Sequence, residues 1–177
     1  MSLAFPAVHD MRLEAVTGEP VTLLAPAHWQ VAASAAYEDA ELLLTSILPD
    51  ARIEHVGATA VAGAHSPGGV DICVAVPREA FDEALGVLVE AGCVQRSQED
   101  AADRHAALAM PAAPVPVTLQ LIETGSAHES LMRVRDALRA DASLLARLNA
   151  AKADAAAHGE AAYAAAKARF FDTLPRR

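Results

Sequence analysis

Arg52-Ile-Glu-His-Val-Gly-Ala-Thr59, a connection rich in Gly, Ala, Ser and Pro, and then Val70-Asp-Ile-Cys-Val-Ala-Val76 decide the reading of this chain. Two apolar runs bracket a loop, and one carboxylate, Asp71, interrupts the second run. Alternation along a strand puts Val70, Ile72, Val74 and Val76 on one face and Asp71, Cys73 and Ala75 on the other. An ionised Asp in such a strand must be paired, hydrogen-bonded or bound to a cation. Two roles meet that requirement. Asp71 can gather a divalent cation and a phosphate beside the small-residue turn Gly57-Ala58-Thr59, where backbone N–H groups receive the anion. Alternatively, it caps a neighbouring turn at the strand edge.

Outward from this stretch, the pattern predicts an irregular arm over 1–20 and one domain over 21–177. A short apolar run, Val21 to Leu24, comes first. Val31, Ala35, Leu42, Leu43 and Ile47 then suggest an amphipathic helix from about Trp29 to Leu48. After Val76, Pro77 opens a helix whose stripe is Phe81, Leu85, Leu88 and Val89, with Gly92 as its C-terminal cap. Val94 to Ser97 and His105 to Met110 read as strands around a charged hairpin loop, and Val117 to Ile122 as another. The last third reads as three helices. Ser126-Ala-His-Glu129 has capping-box spacing, the second helix opens at Asp141, and Tyr163, Ala166, Phe170 and Leu174 stripe the third. The expected class is α+β: a mixed sheet of about four or five strands with flanking helices and a helical C-terminal third.

Composition narrows the function. The 177 residues are 53% hydrophobic and 21% charged, an ordinary globular composition. A net charge of −9 repels a phosphate backbone, and the one basic cluster is Arg176-Arg177, so a nucleic acid polymer is not the expected partner. No apolar run approaches the ~20 residues of a membrane span, and the expected location is the cytoplasm. Cys73 and Cys93 lack Cys-x-x-Cys spacing and read as reduced thiols. As a nucleophile Cys73 would need a base, and His55 is the nearby candidate in sequence. The seven histidines show no zinc spacing, and neither a Walker motif nor Gly-x-Gly-x-x-Gly is present. Arg133, Arg135, Arg139, Lys152 and Lys167 read as solvated helix faces or as cations over a pocket.

Ile53-Glu-His-Val-Gly-Ala-Thr-Ala-Val-Ala-Gly63, ending at Val70-Asp-Ile72, resembles the GrpB family, whose usual form is close to I-E-H-V-G-S-T-S-V-P-G, seven further residues and then D-I. Val21 to Trp29 looks like the family's opening strand and Pro-x-x-Trp turn. Val134-Arg-Asp-Ala-Leu-Arg139, Lys152, Tyr163, Lys167 and Phe170 are similar to its helical C-terminal third. The family in turn is similar to the DNA polymerase beta-like nucleotidyltransferases, in which paired carboxylates hold two Mg²⁺ ions.

The resemblance implies Asp71 as the catalytic and metal-binding carboxylate, with Mg²⁺ as the cofactor. It implies a ligand site from His55, Gly57, Ala58, Thr59, Gln120, Arg135, Lys152 and Lys167. Several positions depart from the pattern. Ala58 replaces the turn serine, Cys73 the second carboxylate and Pro67 a frequent Lys; Val117, Thr118 and Gln120 stand where histidines line the family's pocket. A thiol is a poor Mg²⁺ ligand. Glu123 is then either a replacement carboxylate for the metal or a solvated charge before the Thr124-Gly125 turn. The expectation is a GrpB-like protein with an eroded metal site that binds a nucleotide or other phosphorylated small molecule with weak or no transferase activity. GrpB-like domains also occur fused to dephospho-CoA kinase, which implies a CoA-related ligand or a partner role. The alternatives are an active Mg²⁺-dependent nucleotidyltransferase using Asp71, or a non-catalytic protein-interaction module.

Overall fold

The structure, a computed structural model, describes residues 19–98, 104–110 and 113–174. The predicted arm over 1–20 therefore lies almost wholly outside the described residues, as does most of the predicted hairpin loop. Five strands form one sheet: β1 (Arg52–Val56), β2 (Val70–Val76), β3 (Val94–Gln98), β4 (His105–Met110) and β5 (Val117–Glu123). Their order is β1-β2-β5-β4-β3, with β2 and β5 parallel and every other pair antiparallel.

The faces of β2 divide as its alternation requires. Val70, Ile72, Val74 and Val76 join Leu119 and Leu121 of β5 in the main core. That face is covered by α1 (Gln30–Ile47) and α2 (Phe81–Glu90). On the opposite face, Cys73 and Ala75 pack with Val56, Ile122 and Met132. Met132 belongs to α3 (Ser130–Ala140), which is followed by α4 (Ala142–Ala156) and α5 (Glu160–Asp172). The sheet thus separates two helical layers, and Asp71 lies on the side of the C-terminal helices.

Three local expectations need correction. In α1 the buried residues are Ala33, Ala36, Ala40 and Leu44, whereas Val31 and Leu42 are 85% and 74% exposed. Small side chains bring the helix backbone close to the sheet, so the packed face is the one with less total hydrophobicity. The run Val21 to Leu24 forms no strand of the sheet. Leu24 makes a single bridge to Ser66, and Val21 donates to the Ala156 carbonyl at 2.9 Å. Ser126 provides no side-chain cap; Glu129 instead accepts from the Gly125 N–H at 3.1 Å. At α4 the cap is Asp141, whose Oδ1 accepts from the Ser143 and Leu144 N–H groups at 2.8 and 3.0 Å.

Other signals correspond to what is observed. Trp29 closes the turn begun by Pro26 and is buried against α1. Gly92, at φ +94°, ends α2, and the Cys93 N–H returns to the Leu88 carbonyl at 3.0 Å. Among the described residues, no helix is long and apolar enough to cross a membrane.

Candidate functional site

Between the sheet and the C-terminal helices lies a cavity of about 110 Å³ whose lining includes Gly57, Ala58, Asp71, Gln120, Arg135, Lys152 and Lys167. Its floor follows from strand parity. Asp71 pairs with Val56 and Thr118, and Gln120 pairs with Cys73, so Asp71 and Gln120 share a face and stand one alternation apart. Its walls follow from helical spacing. Leu131, Val134, Arg135 and Leu138 project from one side of α3, Leu148 and Lys152 from α4, and Tyr163, Lys167 and Phe171 from α5. Lys167 Nζ sits 5.3 Å from the centre of the Tyr163 ring, a cation–π distance.

The turn into the loop has a steric requirement. Gly57 has φ +73°, and a Cβ placed there would run into the Asp71 carboxylate. On either side of it, the C-terminal helices grip the end of β1 and the loop by their main chain. Arg135 donates to the His55 carbonyl at 2.9 Å, and Arg139 to the Ala60 carbonyl at 2.7 and 3.0 Å. Asn149 donates to the Gly63 carbonyl and accepts from the His65 N–H, both at 2.9 Å. The ammonium of Lys152, a buried side chain, donates to the His65 carbonyl. Only Arg135, Arg139 and Lys152 of these were singled out in the sequence, and none for this role.

His55 and Thr59 do not line the cavity. His55 lies across the sheet, stacked on Tyr37 of α1 with ring centres 4.6 Å apart. Thr59 Oγ1 donates to the Gly69 carbonyl at 3.1 Å, so it accepts from His55 Nε2 at 3.0 Å. The pair ties the two ends of the loop together. Burial, reinforced by Arg139 and Arg135, lowers the His55 pKa to about 4 and keeps the ring neutral. The Tyr37 hydroxyl, bonded to Glu41 at 2.5 Å, is pushed well above its usual range, by burial first and by that carboxylate second.

Charge in the cavity departs from that of the whole chain. Residues up to 129 carry eighteen Asp/Glu and five Lys/Arg; those after it carry five and nine. Three cationic side chains, Arg135, Lys152 and Lys167, line the cavity with one carboxylate, Asp71. Arg135 is itself partly neutralised, by Glu54 at 2.6 Å and Asp136 at 2.8 Å. Burial alone would raise the Glu54 pKa, but hydrogen bonds from Arg135 and Arg52 outweigh it and hold the carboxyl low.

These residues do not fit a two-metal centre. At the position two beyond Asp71, Cys73 is fully buried, and burial pushes its thiol up to about 12, so no thiolate is offered to a metal or a substrate. Glu54, opposite Cys73 in register, is bound by Arg135 and Arg52. The structure does not bring Glu123 to Asp71. Glu123 pairs with Val76, five residues further along β2 or roughly 16 Å at the usual rise, and turns to the other face. There it accepts from Arg78 at 2.9 Å. Among the described residues, no group of three His, Cys, Asp or Glu side chains is placed to hold a metal ion.

Several cavity residues were not identified from sequence. Ser66 and Ser130 line it, and the Ser66 Oγ accepts from the Gly68 N–H at 3.0 Å. Tyr163 and Phe171 are part of its wall as well as of the helical packing. His105 of β4 reaches Gln120 across the strand pair at 2.7 Å, a contact that only the register reveals.

Comparison with known proteins agrees with this architecture. The conserved protein GrpB from Enterococcus faecalis superposes with a TM-score of 0.65 at 14% identity, covering 85% of this chain and 98% of that one. A UPF0157 protein of Vibrio cholerae serotype O1 is 27% identical over 146 residues, 82% of this chain and 77% of its own. Cid1 poly(U) polymerase bound to MgGTP gives a TM-score of 0.48 at 16% identity, over 71% of this chain and 42% of that one. The pattern of the GrpB protein family matches residues 24–177. The chain belongs to the GrpB family and shares the fold of its Enterococcus faecalis member.

Proposed function

We propose that this protein binds a phosphorylated small molecule, a nucleotide or a CoA-type ligand, in the cavity between the sheet and the C-terminal helices, with weak or no transferase activity. The observation that carries the reading is the lining: Arg135, Lys152 and Lys167 gathered with a single carboxylate, in a chain whose net charge is −9. Nucleotidyl transfer of the two-metal kind needs at least a second carboxylate beside Asp71 to hold the ions that activate the nucleophile and neutralise pyrophosphate. The described carboxylates nearest in register or in expectation, Glu54 and Glu123, are each committed to arginine. Lysine and arginine side chains supply the neutralising charge for an anion without a metal.

Size sets what enters. At about 110 Å³ the cavity falls short of the roughly 300–1,000 Å³ that encloses a whole drug-sized ligand. A phosphate or pyrophosphate group fits within it, and the remainder of a nucleotide lies in the mouth. Among the described residues a polymer has no comparable basic track to follow, and two free thiols suit a reducing cytoplasm.

A thermal-shift panel of nucleotides, CoA derivatives and sugar phosphates, each with Mg²⁺ and with EDTA, tests the proposal. A rise in midpoint with at least one phosphorylated ligand, absent in Lys152→Met, is expected. No shift with any of them overturns it. Pyrophosphate release that Asp71→Asn abolishes would restore the catalytic reading.

A further inference from the structure

Gln120 lies on the cavity floor, one alternation beyond Asp71, and half of its amide is already engaged. Its Oε1 lies 2.7 Å from His105 Nε2. A carbonyl oxygen only accepts, so the imidazole donates from Nε2, which fixes the amide's rotation as well as the histidine's tautomer. His105 is held in turn by stacking on His128 of the segment preceding α3, with ring centres 4.3 Å apart and planes 21° from parallel. The Gln120 amide nitrogen has no partner among the described residues, and the side chain lines the cavity. Two N–H bonds are therefore offered to whatever enters.

From this geometry we infer that Gln120 is a specificity residue: its amide N–H donates to a phosphoryl oxygen of the bound ligand, and His105 acts as the positioning residue that keeps the amide in the donating orientation. The inference rests on the phosphate-binding reading of the same cavity and adds a neutral donor to its cations. A neutral donor discriminates where a lysine does not. It rewards an acceptor at one point on the floor, whereas an ammonium attracts any anion within reach. His105 does not itself line the cavity and bonds Gln120, which does, so its influence on a ligand is expected to pass through that amide.

A double-mutant cycle tests this with inorganic pyrophosphate as the probe, in EDTA, by calorimetry, on wild type, Gln120→Met, His105→Phe and the double variant. Methionine preserves length and removes the donor; phenylalanine preserves the stack on His128. Loss of one hydrogen bond to a charged acceptor predicts roughly tenfold weaker binding for Gln120→Met. His105→Phe should weaken binding about threefold in the wild-type background, where the amide is released to rotate, and have no further effect on Gln120→Met. Lys152→Met, run in parallel, reports on the phosphate site itself. If wild type binds and Lys152→Met does not, while Gln120→Met and His105→Phe bind like wild type, this inference fails and the site stands. If His105→Phe weakens both backgrounds equally, His105 is structural and the inference fails. If wild type does not bind pyrophosphate, both readings fall. Melting temperatures for all variants establish that each is folded, and Gln120→Ala replaces Gln120→Met if that variant is not.

Discussion

Substituting Gly57 by alanine perturbs two separate features at once, and the structure assigns a cost to each. The first is backbone conformation: at φ +73° and ψ −168° the residue occupies a region that side-chain-bearing residues enter only under strain, at about 1–3 kcal/mol. The second is space. An added Cβ would overlap Asp71 Oδ2 and stand 3.1 Å from the Asp71 Cβ and Cγ, so the carboxylate must move, at about 1–3 kcal/mol for an overpacked contact. Together they predict a loss of about 2–6 kcal/mol by urea denaturation. For a chain of this length that is a fall in melting temperature of roughly 4–24 °C. Repeating the substitution in an Asp71→Ala background separates the two. The carboxylate overlap disappears, the backbone strain remains, and the cost should drop to about 1–3 kcal/mol. Equal costs in the two backgrounds would show that Asp71 does not press on residue 57. A cost below about 0.5 kcal/mol in the wild-type background would refute both parts.

Other consequences are open to measurement. Leu44→Ala should cost about 2–5 kcal/mol in chemical denaturation, and Leu42→Ser less than about 0.5, because only Leu44 faces the core; a reversed ranking would overturn the orientation of α1. Arg135→Leu removes one of the two arginine partners of the half-buried Glu54 and the clamp on the His55 carbonyl, for a loss of about 2–4 kcal/mol, and Arg135→Lys should recover little of it because an ammonium cannot reproduce the forked contacts. Stability should fall as pH drops from about 6.5 to about 4, since the unfolded His55 ring takes up a proton in that window and the folded ring does not. Solvent screening of a partly exposed ring limits the effect to at most about 2 kcal/mol, and His55→Leu should flatten that part of the curve. Below the ordinary glutamate value of 4.5, protonation of Glu54, whose carboxyl Arg135 holds low, adds a further decline.

The central strand was legible because its chemistry alternates. Val70, Ile72, Val74 and Val76 have only one way to share a face, and Asp71 is then forced toward the other layer. The α1 face was not legible in the same way. Alanine carries little hydrophobic signal, so Val31 and Leu42 dominated the pattern although Ala33, Ala36 and Ala40 make the close contact. Site residues within one segment, such as Gly57, Ala58 and Asp71, were readable from spacing and from family resemblance. His55 was not, because strand parity places its ring against Tyr37 rather than in the cavity. Glu123 and His105 depended on register: the pairing Val76 to Glu123 carries one away from Asp71, and β4 brings the other to Gln120. Nothing local in the sequence encodes either pairing. The clamp of Arg139 and Asn149 on loop carbonyls was equally hidden, since its acceptors belong to the main chain.

The central claim, that lysine and arginine rather than metal ions hold a phosphorylated ligand here, is tested most directly by calorimetric titration of one nucleotide diphosphate in EDTA and again in excess Mg²⁺. The account predicts saturable binding in EDTA, an affinity changed by Mg²⁺ no more than about threefold, and loss of binding in Lys152→Met under conditions where its melting curve shows the variant still folded. Binding that appears only with Mg²⁺ and vanishes in Asp71→Asn would contradict it.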